Sequence, residues 1–130
     1  MRFEIDKTYD FAASHYLEGL PEGHKCSRLH GHTYFVTVTV GSEELRGPGF
    51  VTDFANLAPF RDYVMALADH QHLNEVLDVN PTAENIARHL ADWFIEHLEP
   101  DIDGQLVSIR VGESPTSGAT YTPQRQAVAQ

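Results

Sequence analysis

The residues with the most chemistry in this chain are histidines spaced to share an ion. His30-Gly31-His32 places two imidazoles at i and i+2 inside an apolar-alternating run. On a strand such residues point to one face, about 6.6 Å apart along the chain. They can converge on one cation at Zn–N distances of about 2.0–2.1 Å, and the intervening glycine removes crowding. His15 supplies a third imidazole on the parity that an inward face of its own strand would carry. Three protein nitrogens leave one position of a tetrahedral ion open, as catalytic rather than structural zinc sites do. Read singly, each of these histidines is also compatible with a hydrogen-bonded core residue.

Four residues before His30 stands Cys26, the only cysteine, with Lys25 and Arg28 beside it and His24 next in line. A thiol among cations is placed to ionise and to act as a base or a nucleophile. A fourth metal ligand, which would close the site, is the serious competing reading, while the polar loop setting disfavours a small packed hydrophobe. Asp69-His70 sets a carboxylate beside an imidazole, a pairing that orients the ring and raises its basicity; a surface helix end is the plain reading of the same two residues. His70-Gln71-His72 is a second H-x-H pair, between two predicted helices, where no strand is expected to set its geometry. Glu113, at the inward end of a strand, is costly to bury unless paired, and a ligand edge with two parallel N–H donors would satisfy both its oxygens. An ion pair with an arginine or a helix end would serve it as well.

The elements that must position these groups are legible from periodicity. Residues 2–15 alternate, with Phe3, Ile5, Tyr9, Phe11 and Ala13 on the inward parity. Residues 17–28 read as a loop and 30–41 as the strongest strand, with Tyr34, Val36, Val38 and Val40 inward. Phe50-Val51-Thr52 reads as a short strand remnant. A helix follows through Leu57, Phe60, Val64 and Leu67, with Asn56 as its N-cap and Pro59 in the first turn. A second helix opens at Thr82 and buries Ile86, Leu90, Trp93, Phe94 and Leu98. Residues 105–113 form another strand, with Val107, Ile109 and Val111 inward, and Ala119–Pro123 a last short one. Residues 124–130 read as a flexible tail. The order β-β-α-α-β-β predicts one α+β domain over residues 1–130, an antiparallel sheet with two helices packed on one face.

Composition narrows the function classes. With 130 residues, 42% of them hydrophobic, the chain can bury a core. A net charge of −10 argues against a nucleic-acid partner. No run approaches the roughly 20 apolar residues of a membrane span, and Met1–Asp6 lacks the apolar segment of a signal peptide. The lone cysteine suits a reducing compartment, and the expected location is the cytoplasm.

Taken in order, the motifs resemble the 6-pyruvoyl-tetrahydropterin synthase superfamily. The pieces are Phe11–His15, Cys26–His32, Val51-Thr52-Asp53-Phe54, Asp69–Asn74, Asn80–Asn85 and Val111-Gly112-Glu113-Ser114, which together span most of the chain. The resemblance implies a tunnelling fold and a homohexamer, a dimer of trimers, with active sites at subunit interfaces. It implies zinc held by His15, His30 and His32, acid/base chemistry by Cys26 with Asp69 and His70, and pterin binding by Glu113 and Thr82. Three residues separate Cys26 from His30, a spacing similar to that of the branch forming 6-carboxytetrahydropterin from dihydroneopterin triphosphate on the way to 7-deazapurines such as queuosine. The pyruvoyl-forming enzymes have a longer spacer. Ala68 and Gly112 depart from the family pattern, where leucine and lysine are usual. A pyruvoyl-forming enzyme and a non-catalytic zinc- or pterin-binding protein of the same fold are the alternatives.

Overall fold

A computed structural model describes residues 2–125 of the chain. Strand β1 (Phe3–His15) runs antiparallel to β2 (His30–Ser42) over its whole length, from Phe3 opposite Ser42 to His15 opposite His30. Helix α1 (Ala58–Ala68), the two-residue strand β3 (Gln71–His72), the single-turn α2 (Leu73–Val76) and α3 (Ala83–His97) follow. Strands β4 (Gln105–Ser114) and β5 (Ser117–Tyr121) complete a five-stranded sheet in the order β3-β1-β2-β4-β5. All pairings are antiparallel except β1 with β3. Among the described residues no helix is long and apolar enough to cross a membrane.

The alternation in β1 and β2 decides where the core lies. Phe11, Ala13 and His15 from β1, and Tyr34, Val36, Val38 and Val40 from β2, are buried against α1 and α3, whose Phe60, Val64, Ile86, Leu90 and Phe94 complete the layer. The face without helices carries Asp6, Thr8 and Asp10 beside Thr37 and Thr39, as expected of a sheet with one face toward a polar medium. Phe3 departs from its predicted burial: it lies at the far end of β1, half-exposed with Leu45, Phe50 and Phe54, beyond the reach of the helices.

Four further local predictions are corrected. Phe50-Val51-Thr52 is not a strand; Phe50 closes a tight turn on Arg46. Asp53, not Asn56, caps the helical region: its carboxylate accepts from the Ala55 amide at the head of a 3-10 turn (Phe54–Leu57) that runs into α1, and the Asn56 amide donates to Thr52. Val107 is an extra residue in β4: Thr39 faces Ser108 but Val40 faces Leu106, so the bulge turns Leu106 into the core in its place. Gln124 and Arg125 do not begin a loose tail, since Arg125 makes a two-pronged ion pair with Glu99 and donates to the Leu106 carbonyl. The rest of the predicted tail, 126–130, lies outside the described residues.

Candidate metal centre and adjoining clefts

Because β1 and β2 are in register with His15 opposite His30 and Ala13 opposite His32, the three imidazoles fall on one face at one end of the sheet. Their ring centroids stand 4.5, 5.1 and 4.8 Å apart, all edge-on to one another. One nitrogen of each lies within 4.8 Å of the other two, and this is the one such grouping of His, Cys, Asp and Glu among the described residues. Cys26 is outside it, which favours three protein ligands over four.

Hydrogen bonds fix which nitrogen faces inward. The Pro81 carbonyl, 2.8 Å from His15 Nδ1, can only accept, so Nδ1 carries the proton; the fully buried Tyr34 hydroxyl oxygen lies 3.1 Å from the same nitrogen. His30 Nδ1 donates to the Arg28 carbonyl at 2.6 Å. Both Nε2 atoms therefore present lone pairs, and they face each other at 2.9 Å. Two lone pairs that close need positive charge between them, a metal ion or a shared proton. Nitrogens bound to a tetrahedral zinc stand about 3.3 Å apart, within a small relaxation of this geometry. His32 Nε2 is buried with no hydrogen-bond partner, the condition a missing ligand bond would leave. The donor set thus fits a divalent metal of borderline softness. Burial first, then the neighbouring His30 and His32, hold the His15 imidazole below its ordinary pKa, against the Pro81 bond and Glu113, and so favour the neutral form that a metal binds.

Cys26 sits in a 3-10 turn (Lys25–Ser27) whose cap is His24: the Nδ1 of that ring accepts from the Cys26 amide. With Lys25, His30 and His32 it lines a cavity of about 280 Å³. Glu113 approaches His32, with Oε2 3.7 Å from Nε2. It lines a second cleft, about 330 Å³, together with Leu17, Thr82, Glu84 and Ser117. Thr82 also caps α3 by accepting from the Asn85 amide. Glu84, read in sequence only as a favourable charge in the first helical turn, is a second carboxylate on this cleft; its place depends on α3 docking beside β5, which periodicity does not report.

Asp69 and His70 are brought together but not to Cys26. Asp69 Oδ1 accepts from the Ala12 amide at 3.1 Å and Oδ2 lies 3.0 Å from His70 Nδ1. The Ala12 bond, then His70, keep the Asp69 carboxyl below the usual carboxylate range. His70 takes a positive φ of 59°, a strained conformation for a side-chain-bearing residue, and its side chain is 82% exposed. His70 lines a groove of about 680 Å³ with Ser14, Thr33 and His72, and His32 borders both this groove and the Cys26 cavity. The second H-x-H pair is part of this edge: contrary to expectation, Gln71 and His72 form a strand, and His72 Nδ1 lies 3.1 Å from the Ser14 hydroxyl.

Residues 4–124 match the family described as 6-pyruvoyl tetrahydropterin synthase. The chain is 33% identical to the 6-carboxy-5,6,7,8-tetrahydropterin synthase of Bacillus subtilis over 95% of its own length and 87% of that protein. It is 38% identical to the protein of that name from Synechocystis over 93% and 94%. The structure of Caenorhabditis elegans 6-pyruvoyl tetrahydropterin synthase superposes with a TM-score of 0.81 over 95% of this chain and 97% of that one, at 24% identity, which establishes the tunnelling fold. With its α+β sheet, its histidine cluster and these relatives agreeing, the chain belongs to the 6-pyruvoyl tetrahydropterin synthase family.

Proposed function

We propose that the protein is a zinc-dependent 6-carboxytetrahydropterin synthase. It would convert 7,8-dihydroneopterin triphosphate and water to 6-carboxytetrahydropterin, acetaldehyde and triphosphate, in the cytoplasm, for synthesis of 7-deazapurines of the queuosine type. The observation that carries the reading is the convergence of the His15, His30 and His32 nitrogens between the Cys26 cavity and the Glu113 cleft.

In this assignment His15, His30 and His32 hold the zinc, which when bound supplies a Lewis acid for the side-chain oxygens of the substrate. Glu113, with Thr82 and Glu84 on the same cleft, binds the pterin ring: a carboxylate matches the amino and ring N–H edge of a pterin in bidentate fashion. That fixes the side chain over Cys26, which moves protons at the side-chain carbons. Lys25 and Arg28 are the cations nearest to Cys26 in sequence and the counter-charges for the departing triphosphate. His70, oriented by Asp69, is the second acid/base group. Because it opens onto a different groove from Cys26, the pair is suited to serve the site of a neighbouring copy, consistent with a dimer of trimers whose sites lie between subunits.

The deciding experiment is anaerobic incubation of zinc-loaded protein with 7,8-dihydroneopterin triphosphate, followed by mass spectrometry. Carboxytetrahydropterin with one equivalent of acetaldehyde is expected. A pyruvoyl product without acetaldehyde would keep the site and overturn the reaction, and no turnover would favour a binding role.

A further inference from the structure

Two asparagines in the motifs above have no part in that chemistry, yet each makes a paired hydrogen bond that a strand would otherwise make. The Asn74 amide accepts from Tyr16 N–H and donates to Tyr16 C=O, both at 2.9 Å. Asn80 does the same two residues on, with Glu18 N–H and C=O, both at 3.0 Å. A primary amide presents the donor and acceptor of a peptide unit, so the two side chains extend the sheet past His15, where the pairing of β1 with β2 ends. Between the clamped residues, Leu17 N–H points the other way and donates to the Cys26 carbonyl at 2.9 Å. The Asn80 backbone is itself held: its carbonyl accepts from the Asn85 side chain and from Thr82 N–H, and the next carbonyl, of Pro81, is the one that receives His15 Nδ1–H.

We infer that Asn74 and Asn80 are positioning residues that set His15, the Glu113 cleft and Cys26 in register with one another. The inference rests on the zinc reading of the histidine cluster. One segment, residues 15–18, carries a metal-facing imidazole at its start and a lining residue of the Glu113 cleft at Leu17, and it holds the backbone of Cys26 on its free edge. The two amides occupy the opposite edge. Without them the segment loses four hydrogen bonds on one side, and both the Pro81 contact that orients His15 and the Leu17 bond that seats Cys26 are free to shift. Loss of groups that orient a metal ligand typically weakens metal binding by about 10- to 100-fold.

The test compares Asn74→Ala, Asn80→Ala and Asn80→Asp with Asn56→Ala, an asparagine whose amide bonds Thr52 near the other end of β1. Zinc affinity of the metal-free protein is measured by competition with a chromogenic chelator, the rate of Cys26 alkylation by iodoacetamide is measured on the same samples, and urea unfolding reports stability. The alanine variants should bind zinc about 10- to 100-fold more weakly and change the alkylation rate. Asn80→Asp, which keeps the acceptor for Glu18 N–H and loses the donor, should fall between, and Asn56→Ala should match the parent in both. Clamp variants that lose stability while keeping the parent's zinc affinity and alkylation rate would show a merely structural role and overturn the inference. If the alanine variants do not fold, Asn80→Asp decides on the same criteria. If the parent itself fails to bind zinc, the metal reading falls, and the alkylation rates alone decide whether the clamp seats Cys26.

Discussion

At the scale of single residues, the site is a set of polar atoms whose partners are assigned by elimination. Carbonyls of Pro81 and Arg28 take the Nδ1 protons of His15 and His30, so the facing nitrogens turn lone pairs toward each other, the arrangement that a metal ion or a shared proton joins. Cys26 lies outside that grouping, so Cys26→Ala should retain one zinc per chain while turnover falls at least about 100-fold, the range of a lost general acid/base. Metal analysis beside a product assay checks it, and loss of zinc in this variant would return Cys26 to the ligand set. Asp69 gives a pH dependence. Its carboxyl is depressed in the folded chain, first by the Ala12 N–H and then by His70. Its stabilisation is therefore present above the ordinary carboxylate pKa and is lost as pH falls through and below about 4. The urea midpoints of the parent and Asp69→Ala should differ at pH 7 and converge toward pH 3.

The elements position these residues through their ends more than their middles. His15 ends β1, His30 begins β2, Thr82 caps α3 and Glu113 stands one residue from the end of β4. Regular structure holds each on one side; Thr82 and Glu113 open onto one cleft and His30 onto the Cys26 cavity, while His15 is fully buried. The opposite end of the sheet is closed by a different device. Glu99, after α3, accepts the Leu106 amide at 2.7 Å and pairs with Arg125, which also reaches the Leu106 carbonyl. This ties the chain after β5 to the start of β4 next to the Val107 bulge. Arg125→Ala leaves Glu99 largely shielded from water without its cation and should cost about 1–3 kcal/mol, read as a lower urea midpoint with zinc binding unchanged.

On the scale of the whole molecule, the helices cover one face of the sheet and leave the other polar, with Thr8 and Thr37 hydroxyls bonded to each other across it at 2.9 Å. His70 and the Cys26 thiol open onto different grooves, and the proposal that copies share a site has a direct consequence. Cys26→Ala and His70→Ala proteins, each inactive alone, should regain activity when unfolded together and refolded as a mixture, because some interfaces then combine an intact Cys26 with an intact His70. Activity of the refolded mixture no greater than that of either variant would place the whole site within one chain.

What the sequence by itself determined is whatever depends on spacing along one element. The period-2 pattern of β1 and β2 put His15, His30 and His32 on one inward face, because strand side chains alternate with a fixed period and a hairpin register carries that parity across. The amphipathic stripe of α3 and its Thr82 start were equally legible. Only the tertiary structure decided the rest. The bulge that exchanges Val107 for Leu106 is set by the neighbouring strand, and β3 exists because Ala13 and Ser14 offer an edge to Gln71 and His72. The Asp53 cap depends on a 3-10 turn that helical spacing does not announce. Glu84 joins the Glu113 cleft, and Asn74 and Asn80 reach the backbone of residues 16 and 18, across gaps of more than 25 residues in sequence. Such contacts depend on where whole elements dock, and docking is decided by packing of the shared core rather than by any local pattern.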